Sequence, residues 1–184
     1  MKKVNPIAEQ SRKWLAESLF DLMKKQRYSD ITITAISENA QLARRTFYRN
    51  FSSREEIIIY ACTQICEEYI RYLDRDIEYS IRHIIEVYFT FWQEHIDLLE
   101  LLTGNNLLCH LIEVSNRYWP MIFERFRKHW GEECSDKELE YCLLFNMGGL
   151  WNILIKWIYS SERENPREME RMAGKSLRCF LKSI

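Results

Sequence analysis

Apolar residues recur at three- and four-residue intervals along most of the chain, the period of an amphipathic α-helix. Leu15, Leu19 and Leu22, with Ala16, Phe20 and Met23, form one stripe, and Asn5 and Pro6 supply a cap and a first helical residue ahead of it. This pattern predicts a first helix reaching about Gln26. Ile36 and Ala40 share one face of a second, short helix, and the alternating Ile31-Thr32-Ile33-Thr34 before it reads as loop and cap rather than strand. Gln41 and Leu42 make a tight break. A third short helix follows, and Ser53 with Glu56 forms a capping-box pattern that opens a fourth helix reaching about Tyr72.

The periodicity continues beyond that point. Ile77 to Glu94 carries Ile81, Ile84, Ile85, Tyr88 and Trp92 on one side. Ile96 to Leu102 is a short helix ended near Gly104, and another is expected to start at Asn106 and run towards Trp130 with a kink at Pro120. From Asp136 to Ser160, Leu139, Leu143, Asn146, Leu150, Ile153 and Trp157 make a heptad seam, while Met147, Trp151, Leu154 and Ile158 make a second stripe. A helix apolar on two sides is buried on two sides. The second side faces either another subunit or, in a monomer, more of the same chain, and Gly148 and Gly149 would permit close approach. Asn165, Pro166 and Glu168 cap a last helix with Met169, Met172, Leu177, Phe180, Leu181 and Ile184 as its stripe. Five glycines, three prolines and no glycine before Gly104 leave few breakers. The expected fold is all-α with about nine helices: a three-helix unit over residues 1–52, then a helical body over residues 53–184.

Charge sharpens this division. The net charge of the 184 residues is −1. Residues 1–54 hold eleven Lys/Arg against five Asp/Glu, and residues 55–184 hold fifteen against twenty-two. A basic head on an acidic body directs the head at a polyanion. Charge alone favours a plain solvated face; the local pattern of the head reverses that preference. Leu42 to Phe51 contains three arginines and no acid. On a helix here, Phe47 and Phe51 face inward, Leu42 and Phe47 can close a hydrophobic staple with Ala43 at the cap, and Arg44, Arg45, Tyr48 and Arg49 face outward. Arginine forks match guanine edges and phosphates, so this face suits a DNA major groove. Helix, short turn, helix and a newly capped helix together have helix-turn-helix spacing.

The segment ITITAISENAQLARRTFYRNFSSREEII resembles the DNA-binding segment of the TetR/AcrR family of bacterial transcriptional regulators, matching at Thr32, Ile36, Ala40, Leu42, Thr46, Phe47, Tyr48, Phe51 and Glu55. It departs at Ser37 (usually alanine), Gln41 (usually glycine), Ala43 (usually serine) and Arg45 (often glycine), and Arg54 stands where lysine is usual. The resemblance implies a dimeric, effector-controlled regulator, most often a repressor, bound to a palindromic operator in double-stranded DNA. It implies that Arg44, Arg45, Thr46 and Arg49 approach base edges and that Thr34, Tyr48, Asn50 and Arg54 sit on phosphates. It also implies a homodimer through the last two helices, drawing on Leu139, Leu143, Asn146, Gly149, Leu150, Ile153, Trp157, Leu177 and Phe180. A small hydrophobic effector is expected among Tyr88, Trp92, His110, Trp119, Phe123, Met147 and Trp151, with Asn146, Asn152 or His110 as polar anchors. The same aromatics could equally be filled core, and the body could instead bind a partner protein.

Other chemistry is sparse. Six cysteines include no CxxC pair and four histidines form no HxxxH or HExxH motif, so no metal site or cofactor is expected. No carboxylate pair, nucleophile-base set or phosphate loop points to an enzyme. The basic N-terminus lacks an apolar signal core, and the apolar run from Cys142 to Ile155 is too short for a bilayer, so a cytoplasmic protein without membrane attachment is expected.

Overall fold

The computed structural model describes residues 5–74, 80–130 and 135–181, with some side chains in the body helices outside that description. The described residues form nine α-helices, one 3₁₀ turn at Tyr28–Asp30 and no strand. In order they are α1 (Pro6–Met23), α2 (Ile33–Asn39), α3 (Arg44–Asn50), α4 (Arg54–Leu73), α5 (Ile81–Glu94), α6 (Ile96–Gly104), α7 (Leu108–Trp130), α8 (Asp136–Ile158) and α9 (Pro166–Leu181). They divide into two compact units: Met1–Glu67 with Leu101–Asn116, and Glu68–Glu100 with Arg117–Ile184. The packing boundary therefore falls inside α4 and not at its start.

In the first unit α1, α2 and α3 pack on one another. Leu15, Leu19, Ile31, Ile36 and Phe47 are fully buried, each contributing about 1.5–3 kcal/mol. Ser18 Oγ donates to the Ile36 carbonyl at 2.8 Å and accepts from Asn39 Nδ2 at 3.1 Å, so this buried hydroxyl is satisfied as donor and as acceptor. The end of α6 and the start of α7 belong to this unit as well. There Asn105 Oδ1 accepts the Tyr28 backbone N–H at 2.9 Å, and His110 Nε2 stands 3.5 Å from a Glu55 carboxylate oxygen.

In the second unit α5 packs along α9. Ile70 and Ile122 are buried with Tyr69, Leu73, Ile84 and Tyr118 around them. Phe91 meets Tyr69 at 4.9 Å between ring centroids, and Phe89 meets Trp157 at 5.8 Å. Arg163 pairs with Glu100, and Arg82 with Glu170 at 3.7 Å.

Caps set the helix limits. Asn5 accepts from the Ile7 N–H and Pro6 opens α1, and Asn165 and Glu168 exchange their capping bonds around Pro166, both as the pattern predicts. Thr32 caps α2, accepting from the Ala35 N–H at 3.1 Å. Ser53 accepts from the Glu56 N–H as expected, but the returning bond shifts by one residue: Glu56 accepts from the Ser52 N–H at 2.7 Å. Ser80 caps α5, so that helix begins after the expected Ile77, which lies outside the described residues. A capping box at Ser135 and Glu138 opens α8. Helix α1 stops at Met23, three residues short of Gln26. Asn106 ends α6 rather than starting α7: it takes φ 57°, and the Leu107 N–H reaches back to the Leu102 carbonyl at 2.7 Å.

The expected seam on α8 divides in the structure. Leu150 and Trp157 are buried within the single chain together with Trp151, Leu154 and Ile158. Asn146 and Ile153 are half-buried, Gly149 is exposed, and the side chains of Leu139, Leu143, Leu177 and Phe180 lie outside the described residues. The outward apolar stripe is instead Tyr141, Leu144 and Phe145, continued by Gly148 and Asn152. Heptad spacing identifies two apolar sides of a helix but carries no information on which side its own core takes.

Candidate nucleic-acid interface

The break between α2 and α3 is built on Gln41, which takes φ 54°. Its N–H donates to the Glu38 carbonyl at 3.0 Å, and the Leu42 N–H reaches the Ser37 carbonyl at 2.9 Å. This is a Schellman closure, with glutamine at the position glycine usually fills. A left-handed residue with a Cβ costs about 1–2 kcal/mol, and the packing around it must offset that cost. Ala43 caps α3 without a side-chain bond. A seven-residue helix with no cap is held by tertiary contacts, not propensity. Phe47 is fully buried and lies 6.2 Å from Phe51, which meets Tyr60 at 5.7 Å. The Arg12 guanidinium stacks over both Phe51 and Tyr60, 5.0 and 4.6 Å from the ring centroids. The Tyr60 hydroxyl donates to Glu9 at 2.7 Å; burial first, then this carboxylate, push its pKa upward.

The opposite face of α3 presents Arg44, Arg45, Tyr48 and Arg49, all exposed. Arg44 Nη2 donates to the Tyr48 hydroxyl at 3.1 Å with its guanidinium 5.6 Å from that ring, which orients one fork in advance. Thr34 is exposed on α2. Thr46 is half-buried, and Asn50 turns inward, its Nδ2 donating to the Thr46 carbonyl at 2.7 Å. Arg54 also turns inward. Its Nη1 donates to the carbonyls of Tyr28 at 2.8 Å, Ser29 at 3.4 Å and Ile31, and its guanidinium lies 4.9 Å from the Tyr28 ring. The structure gives this side chain a clasping role, because the 3₁₀ turn leaves carbonyls that a charged fork satisfies well. Arg54→Ala is therefore expected to lower the stability of the first unit by about 1.5–3 kcal/mol, the worth of charge-assisted hydrogen bonds. Urea denaturation followed by circular dichroism checks this, and a loss below about 0.5 kcal/mol would mean that the clasp is idle.

Arg12, Glu9 and Asn105 brace this unit, and nothing in the neighbouring sequence points to them. They act across long sequence separations.

Three of the residues expected to take an effector are found together. Tyr88, Trp92 and Trp151 form one buried cluster in the second unit. His110 belongs to the first unit, beside Glu55. Asn146 and Asn152 donate to carbonyls of their own helix, Cys142 and Gly148, both at 2.7 Å. Met147 is half-buried, and the Trp119 and Phe123 side chains lie outside the described residues.

Cys62 and Cys66 are buried on α4, and desolvation pushes both thiols up to about 12, whereas Cys109 and Cys142 are exposed. At pH 8 a thiol with such a pKa is about one part in 10⁴ thiolate, the reactive form. Iodoacetamide on the native protein should label Cys109 and Cys142 at least tenfold faster than Cys62 and Cys66, as read by peptide mass spectrometry; equal rates would show that α4 opens readily. Among the described residues, no group of three or more His, Cys, Asp or Glu is placed to hold a metal, and no helix is long and apolar enough to cross a membrane.

No protein-family model matches the sequence, and no curated protein matches it. Solved structures do match. A transcriptional regulator of the TetR/AcrR family from Aquifex aeolicus aligns with a TM-score of 0.63 at 16% identity, covering 92% of this chain and 99% of its own. The dihydroxyacetone kinase operon activator DhaS aligns with a TM-score of 0.54 at 18% identity, covering 95% and 96%. The helix order, the left-handed turn between α2 and α3 and these alignments agree: the chain has the fold of the TetR/AcrR transcriptional regulators.

Proposed function

We propose that this protein is a DNA-binding transcriptional regulator and not an enzyme, acting in the cytoplasm as a homodimer on a palindromic operator. The observation that carries this reading is α3, with three exposed arginines on one face and the fully buried Phe47 on the other. Arg44, Arg45 and Arg49 are assigned to base edges with Thr46 at the margin, and Tyr48, Thr34 and Asn50 to the backbone. Arg54 is assigned to bracing the 3₁₀ turn. The proposed output is repression by occupancy of the operator. DhaS, which shares the fold, is described as an activator, so a reporter gene fused to the recovered operator must read the sign.

Two reading helices must lie about 34–36 Å apart to enter successive major grooves. The stripe of Tyr141, Leu144 and Phe145 on α8 is the surface assigned to the second copy. A Cβ added at Gly148 or Gly149 meets nothing within 4 Å in the single chain, which leaves room for a close partner helix. Tyr141→Glu with Phe145→Glu should weaken dimerisation about 100-fold or more, since four aromatic side chains would leave a two-fold interface. Sedimentation equilibrium measures this, and a wild-type protein that stays monomeric at micromolar concentration refutes the assignment. An apolar effector in the body is proposed to act through α4, which belongs to both units, by changing the separation of the two readers. The test of the whole reading is affinity capture of sheared genomic DNA followed by sequencing. Enrichment of one or a few palindromic sites supports it, and uniform recovery removes it.

A further inference from the structure

Tyr88, Trp92 and Trp151 stand within 5.8–6.4 Å of one another between ring centroids. They are 3%, 3% and 6% exposed. Yet Trp151 Nε1 has no hydrogen-bond partner, and Tyr88 Oη and Trp92 Nε1 have none at good hydrogen-bond geometry, although the Trp92 N–H lies close enough to the Tyr88 hydroxyl to oppose the rise in its pKa. Trp157, on the same helix as Trp151 and 2% exposed, shows how this fold treats an indole with a structural role: its Nε1 donates to the Glu164 carbonyl at 2.9 Å. A buried donor left unpaired is unfavourable, and native structures contain few of them. The other unpaired buried side-chain atoms among the described residues are Arg12 Nε and Thr103 Oγ1, both in the first unit. Three in one aromatic cluster are thus a local concentration.

We propose that this cluster recognises a neutral apolar molecule bearing a carbonyl-type oxygen, whose two lone pairs accept from the Trp151 N–H and the Tyr88 hydroxyl, with the Trp92 N–H turned to the Tyr88 oxygen. The proposal rests on the effector reading above and gives it a ligand class. An indole N–H can only donate, whereas a carbonyl oxygen offers two lone pairs and no donor. A cationic ligand would leave the Trp151 N–H unpaired. A carboxylate would lose its hydration among Tyr69, Phe89 and Phe91, the other rings that touch the cluster, with no positive charge on any of them. Burial raises the Tyr88 pKa well above its ordinary value, so the hydroxyl stays neutral and retains its proton; the nearby Trp92 N–H opposes this only in part.

The test uses the full-length protein and matched pairs of three sizes: acetophenone with ethylbenzene, benzophenone with diphenylmethane, and 9-fluorenone with fluorene. Tetraphenylphosphonium and fluorene-9-carboxylate serve as the charged arms. Affinities come from calorimetry, and the ketone C=O stretch is read by infrared difference spectroscopy. For at least one pair, the ketone should bind about tenfold or more tightly than its hydrocarbon, with the stretch moved to lower frequency. In Tyr88→Phe and Trp151→Phe the preference and the frequency shift should both shrink. The infrared shift in the wild type stands even if a variant folds poorly. Equal affinities within every pair, no binding by any ketone, tighter binding of either charged probe, or a shift that survives both substitutions overturns the proposal. Affinity for the captured genomic DNA is measured separately. Ketone binding that leaves DNA affinity unchanged supports the ligand class and removes effector control, while absence of DNA binding removes the regulator reading alone.

Discussion

Arg44→Ala, Arg45→Ala and Arg49→Ala combined should abolish specific operator binding while leaving the melting curve of the protein unchanged. All three side chains are exposed on α3, so their loss opens no cavity and breaks no buried contact. Each bidentate contact to a base is worth about 1–3 kcal/mol. The three together remove about 3–9 kcal/mol if their effects add, enough to reduce specific binding to background. Fluorescence anisotropy on the captured DNA and on random DNA, across a salt series, separates roles. A base-reading arginine lost singly should relax one position of the site, and a phosphate-binding one should weaken all sequences and lower the salt slope by about one. If the triple variant binds the operator within twofold of wild type, α3 is not the reading element.

Phe47→Ala attacks the same helix from behind. Phe47 is fully buried and lies in contact range of Tyr48 and Phe51, at 5.4 and 6.2 Å between ring centroids. Truncating a buried phenylalanine costs about 3–5 kcal/mol, against a total stability of about 5–15 kcal/mol for a typical domain. Since α3 has no side-chain cap and follows a left-handed glutamine, it has little else to hold it. The variant should lose DNA binding although every exposed arginine remains. Phe47→Leu should cost far less, because it keeps most of the apolar volume. Urea titration followed by circular dichroism gives the comparison. A loss below 1 kcal/mol for Phe47→Ala would show that the helix is held by other contacts.

These two experiments separate what was legible in the residues from what was not. The inward and outward faces of α3 follow from the spacing of Phe47 and Phe51 against Arg44, Arg45, Tyr48 and Arg49, because a helix of known pitch assigns its faces without reference to the rest of the chain. The partners of Arg54 do not follow from spacing. Its guanidinium reaches carbonyls 23–26 residues earlier in the chain. In sequence it is indistinguishable from an arginine free to meet a phosphate. The same applies to Arg12 over Phe51 and Tyr60, and to Asn105 beside Tyr28: each closes a contact across tens of residues, and no local pattern records it.

What the sequence determined by itself is therefore what depends on period, caps and breakers: an all-helical chain, the capped starts at Asn5 and Asn165, the short break at Gln41, and the basic stripe of α3. Each is a property of a few neighbouring residues, and physical chemistry acts on them before the chain folds up. Only the tertiary structure decided which apolar side of α8 belongs to its own core. It buried Leu150 and Trp157, left Tyr141, Leu144 and Phe145 outside, gathered Tyr88, Trp92 and Trp151 into one cluster and set His110 beside Glu55. Apolar burial is non-directional and scales with area. Two stripes of similar hydrophobicity therefore compete for the core on nearly equal terms, and the choice falls to the shape of the helices that pack against them.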